Sequence, residues 1–115
     1  METKQLAEDI CKLLLSKKAE DIILIDVSKK TTLADYFIIA SGRSTTQVKS
    51  LCDNIEDKFS KLEMEPKNRD GVREGRWAAL DYGDIIIHIF DDEQRLFYHL
   101  ERLWSDSDNI VKFED

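Results

Sequence analysis

"WAALDYGDIIIHIF", residues 77–90, is the stretch whose reading decides the fold. It reads as two strands joined by a tight turn at Tyr82-Gly83. With the turn there, Asp81 falls opposite Asp84, Leu80 opposite Ile85, Ala79 opposite Ile86, Ala78 opposite Ile87 and Trp77 opposite His88. Strand side chains alternate between the two faces of a sheet. One face therefore carries Ala78, Leu80, Ile85, Ile87 and Ile89, which is uniform core material. The other carries Trp77, Ala79, Asp81, Asp84, Ile86, His88 and Phe90. That face has an aromatic anchor, a small-residue floor and two like charges at its edge. Directly opposed carboxylates repel on a sheet, and an external cation would relieve them. Two readings stay open: a protein-binding face with aromatics at its centre and charge at its rim, or a second core face whose aspartates only hold the turn.

Outward from the hairpin, the periodicity supplies the remaining elements. Residues 3–17 form an amphipathic helix with Leu6, Ile10, Leu13 and Leu14 on its inner side. Residues 21–27, "DIILIDV", are an apolar run between charged ends, the pattern of a strand buried on both faces. "KKTTLAD" is a polar connection, and "YFIIAS" (36–41) is the next strand. A second helix begins after "SGRS". There Ser44 and Gln47 have capping-box spacing, and Val48, Leu51, Cys52, Ile55, Phe59 and Leu62 form the buried stripe. "KNRDGVREG" reads as a charged loop. After the hairpin, "DDEQRLFYHLERLW" is expected to form a third helix capped by Asp91 or Asp92. Leu96, Leu100 and Leu103 line its inner side, and Arg95, Tyr98, His99 and Arg102 line one flank. "SDSDNIVKFED" reads as a tail. The expected architecture is α/β (α+β): a mixed β-sheet with helices packed on it, in the order αββαββα, as a single domain over residues 1–104 with an acidic C-terminal tail over 105–115.

Composition narrows the function. The 115 residues are 42% hydrophobic and 36% charged with one proline, as expected of one soluble globular unit. No segment approaches the ~20 apolar residues of a membrane span, and residues 1–5 lack the apolar core of a secretory leader, so a cytoplasmic location is expected. Cys11 and Cys52 lack both metal-ligand spacing and a disulfide framework, and read as small buried hydrophobes. The net charge of −7 is uneven, with eight acids against three bases in residues 91–115. Such a chain is poorly suited to phosphate backbones and better suited to a basic protein partner.

No catalytic constellation stands out. His88 could act as a base beside Asp81 or Asp84, but no nucleophile stands in a defined relation to it. Arg43 and the helix start at "SGRSTTQ" could hold an anion, yet no phosphate-loop motif is present, and capping accounts for these residues. No cofactor and no metal are implied. Asp106-Ser107-Asp108 has D-x-D spacing without apolar support.

The residues "DIILIDV", "ADYFIIASGRS", "LDYGDIIIHIF" and "RLFYHLERLW" together resemble the ribosomal silencing factor (iojap-like) family, over residues 6–104. One departure is visible: Asp70-Gly71 stands where the family has Glu-Gly. The resemblance implies a nucleotidyltransferase-like topology without the catalytic motif, and a non-enzymatic translational repressor. It implies binding to the large ribosomal subunit through ribosomal protein L-fourteen, which blocks joining of the small subunit when nutrients are scarce. It also implies a homodimer. On this reading Trp77, Ala79, Asp81, Asp84, Ile86, His88 and Phe90 form the partner face, and Arg95 and Tyr98 extend it from the third helix. A nucleotidyltransferase-like enzyme and a homo-oligomeric scaffold are the competing readings.

Overall fold

The computed structural model describes residues 2–91 and 109–114. Their elements run α1 (Thr3–Ser16), β1 (Glu20–Asp26), β2 (Tyr36–Gly42), α2 (Thr45–Lys61), β3 (Asn68–Asp70), β4 (Trp77–Asp81), β5 (Ile85–Asp91) and β6 (Ile110–Phe113). The strands form one six-stranded sheet in the order β3-β4-β5-β2-β1-β6. The central β2–β5 pair is parallel and every other pair antiparallel. The expected α+β class with a mixed sheet is what the chain adopts. The expected third helix lies outside the described residues.

Both described helices lie on one side of the sheet. α1 packs on β1, β2 and β6, and α2 packs on β2, β4 and β5. Leu6, Ala7, Ile10, Cys11 and Leu14 of α1 join Val48, Leu51, Cys52, Ile55 and Phe59 of α2 in a core that also takes Ala78, Leu80, Ile85, Ile87 and Ile89 from the hairpin. Both cysteines are buried and free, and burial pushes both thiols up to about 12, which disfavours the reactive thiolate. Ile22 to Ile25 of β1 are buried on both sides, as the apolar run predicts. Leu13, expected in the core, is only partly buried; Ala7 and Cys11 hold that stripe instead. Leu62 is likewise 39% exposed just past the end of α2.

Three expectations need correction. The hairpin register is Trp77 opposite Phe90, Ala78 opposite Ile89, Ala79 opposite His88, Leu80 opposite Ile87 and Asp81 opposite Ile86. A two-residue turn at Tyr82-Gly83 would need positive φ at Tyr82 and, as type I′, at Gly83 too. Gly83 has it (φ 86), and Tyr82 does not. Tyr82 instead folds inward and stacks on Phe59, with ring centroids 3.6 Å apart. The turn moves one residue along, to Gly83-Asp84, closed by Tyr82 N–H donating to the Ile85 carbonyl. The register slips by an even number, so every strand residue keeps its expected face, but Asp81 and Asp84 are not opposed. Second, the charged loop "KNRDGVREG" contains β3, whose residues are all exposed and so carry no apolar alternation to read. Third, the segment read as a tail contributes β6, which pairs with Ile22–Ile25 of β1 and closes that edge of the sheet.

Candidate protein-binding face of the hairpin

Burial alternates along both hairpin strands. Ala78, Leu80, Ile85, Ile87 and Ile89 are buried beneath the helices, whereas Trp77, Ala79, Asp81, Ile86 and His88 on the opposite face are all partly exposed. Phe90, also on that face, is buried. This second face has its own apolar cluster of Ile23, Ile25, Val27, Ala34, Phe37, Ile39 and Phe90, with Trp77 and Ile86 packed against it. Neither α1 nor α2 contributes a residue to that cluster.

The aromatic residues of the face brace one another. The Trp77 indole stacks on Phe90 at a centroid distance of 5.0 Å, and Phe37 meets His88 edge-on at 5.8 Å. Indole Nε1–H donates to His88 Nδ1 over 3.2 Å. An imidazole nitrogen can accept only when unprotonated, so this bond places the proton of neutral His88 on Nε2. Burial pushes the His88 pKa down to about 4. His88 is therefore a neutral ring that orients the tryptophan, not a cation and not a base poised near neutral pH. Phe37 was not among the residues expected here. It reaches the face because β2 pairs in parallel with β5, a long-range pairing that local alternation does not encode.

The carboxylates divide. Asp81 Oδ1 accepts from Gly83 N–H at 2.8 Å, so this side chain holds the turn. Asp84 is exposed, and its carbonyl accepts the backbone N–H groups of Asp35 and Tyr36. It borders a cleft with Thr3, Leu6, Phe59, Met64 and Tyr82, which places it at the end of the sheet beside the helix layer. The repelling pair expected across the hairpin is absent because of the register. Arg95 and Tyr98, expected to extend the face, lie outside the described residues.

Gly71 supports the site from below. Its φ is +73, and a Cβ there would stand 1.9 Å from the Trp77 carbonyl oxygen. The loop can cross the base of the tryptophan strand only with glycine at that position. At the other candidate site, Arg43 is paired with Glu20, and Ser44 accepts from Gln47 N–H as the helix cap. Capping thus accounts for the "SGRSTTQ" residues.

Comparison with known proteins places this geometry in a lineage. The family model described as "Ribosomal silencing factor during starvation" matches residues 1–115. The chain is 37% identical over 91 residues to ribosomal silencing factor RsfS of Bacillus subtilis, covering 79% of this chain and 77% of that protein. It is 31% identical over 96 residues to a mouse protein named "Mitochondrial assembly of ribosomal large subunit protein 1", covering 81% of this chain and 42% of that one. A crystal structure of a Chromobacterium violaceum protein matches with a TM-score of 0.86 at 30% identity, covering 95% of this chain and 92% of that one. The chain belongs to the ribosomal silencing factor family.

Proposed function

We propose that this protein binds the large ribosomal subunit through ribosomal protein L-fourteen, using the Trp77 face of its sheet, and that by occupying this place it keeps the small subunit from joining. Translation then falls when nutrients are limiting. The action is steric exclusion in the cytoplasm, with no bond made or broken, and its strength depends on affinity and placement. Family membership supports the ribosomal target, and the mouse relative's name refers to the large subunit. The observation that carries the choice of surface is the alternating burial of the hairpin. Trp77, Ala79, Asp81, Ile86 and His88 remain partly exposed on the side free of α1 and α2.

Within this reading Trp77 is the anchor, resting on Phe90 and oriented by His88. Ala79 and Ile86 form the floor beside it. Asp84 from the end of the sheet, and Asp81 to the extent that its turn bond allows, face basic side chains at the partner's rim. Arg95 and Tyr98 extend the patch. A tryptophan already held in its bound orientation loses little further entropy on docking. Trp77→Ala is expected to cost about 2 kcal/mol or more in binding, roughly a thirtyfold loss of affinity. Co-sedimentation of the folded variant with purified large subunits measures this. Undiminished binding would reject the anchor.

A further inference from the structure

On the helix side of the sheet, away from the Trp77 face, Asp53, Glu56, Asp57 and Ser60 lie along one stripe of α2 at spacings of three or four residues. They border an open cleft of about 720 Å³ closed by Met64, Glu65, Pro66, Arg69 and Tyr82. Four carboxylates face one guanidinium there. Arg69 is held by Glu56 at 3.0 Å, and Asp57 pairs with Lys61. Asp53 and Glu65 make no ion pair among the described residues.

A second observation points the same way. Tyr82 lines this cleft and is 7% exposed, and its buried hydroxyl has no hydrogen-bond partner among the described residues. Burial pushes the phenol up to about 12, with Glu56 adding to the rise and Arg69 opposing it. An unsatisfied buried hydroxyl costs free energy that a donor entering the cleft would recover. No three acidic, histidine or cysteine side chains among the described residues converge as a metal site. The acids are strung along the cleft, which suits a chain of separated organic cations.

We infer that this cleft is a docking site for a basic, arginine-bearing peptide segment of a protein partner. A guanidinium carries five N–H donors and can bond carboxylates and a phenol oxygen together. Met64 and Pro66 supply apolar wall for its methylene stem. Arg69 is half exposed at its rim, and swings aside as the incoming cation takes its place on Glu56 and reaches Tyr82. Nucleic acid is disfavoured, because its phosphates would meet the same carboxylates. This second contact is independent of the Trp77 face.

The test is fluorescence anisotropy with a fluorescein-labelled peptide of alternating arginine and glycine, at low salt. Asp53→Asn with Glu65→Gln breaks no ion pair and is expected to weaken binding about tenfold, because charge-assisted contacts are lost. Glu2→Gln with Asp35→Asn removes the same charge outside the cleft and is expected to cost about twofold or less. Tyr82→Phe keeps the stack on Phe59 and is expected to weaken binding about threefold without loss of stability. Trp77→Ala is expected to bind the peptide as the wild type does. Equal losses in the two charge variants would show attraction by net charge alone and overturn the proposal. Undiminished binding by Tyr82→Phe would also overturn it, as would tighter binding of a polyuridylate strand than of the peptide.

Discussion

The indole N–H of Trp77 and the imidazole of His88 hold each other in one arrangement, and the chemistry of that bond sets a pH limit. His88 has a pKa near 4 in the folded chain because burial penalises its charged form. Unfolded, it titrates near the ordinary value of 6.5. A group whose folded pKa lies below its unfolded value binds protons preferentially in the unfolded state. Its contribution is therefore complete above pH 6.5 and is lost progressively as pH falls toward 4. Urea unfolding across that window is expected to show midpoints falling with acidification, and His88→Gln is expected to flatten the fall. An unchanged pH slope in the variant would assign the acid sensitivity elsewhere. The sequence made His88 and Trp77 visible as unusual residues in an apolar hairpin. The expected register set them directly opposite, whereas their bond forms between diagonal neighbours, since Trp77 pairs with Phe90 and Ala79 with His88.

At the scale of elements, α2 and β6 show opposite degrees of legibility. The start of α2 was readable from Ser44 and Gln47, and Ser44 does cap the Gln47 N–H. The reciprocal arm differs from a simple capping box. Gln47 Oε1 accepts from Arg43 N–H, and its Nε2 donates to the Lys18 carbonyl, tying α2 to the end of α1. Ser44→Ala is expected to cost about 1 kcal/mol by urea denaturation. A cost near zero would mean that Gln47 alone suffices at this end. β6 was not legible, although "IVKF" contains three apolar residues, because so short a run becomes a strand only where a partner edge is waiting. β1 provides that edge through Ile22–Ile25. A chain ending at residue 108 loses the partly buried Ile110 and Phe113 and is expected to be destabilised by about 2 kcal/mol. Its unpaired β1 edge should also favour aggregation. Thermal melts and light scattering check both, and an unchanged melting temperature would show that β6 contributes nothing to the sheet.

Among the described residues the molecule is two-sided, with α1 and α2 on one side of the sheet and an aromatic, partly exposed patch on the other. Its charge of −7 should speed encounter with a basic partner and make that encounter sensitive to salt. Large-subunit binding by the wild type is expected to weaken as ionic strength rises. Asp84→Lys, which changes an exposed carboxylate, is expected to flatten that dependence; an unaltered salt profile would remove Asp84 from the interface. The sequence by itself determined the strands 21–27, 36–41 and the hairpin, both described helices, and which hairpin residues face the helices. All of these follow from periodicities within one segment, and the even slip in register left the faces untouched. Only the tertiary structure decided that Phe37 joins Trp77 and His88, that Asp81 and Asp84 part company, and that β3 and β6 extend the sheet. Each of those depends on the packing of Tyr82 against Phe59 or on pairing between distant strands, and such contacts are set by which surfaces meet once the chain has collapsed.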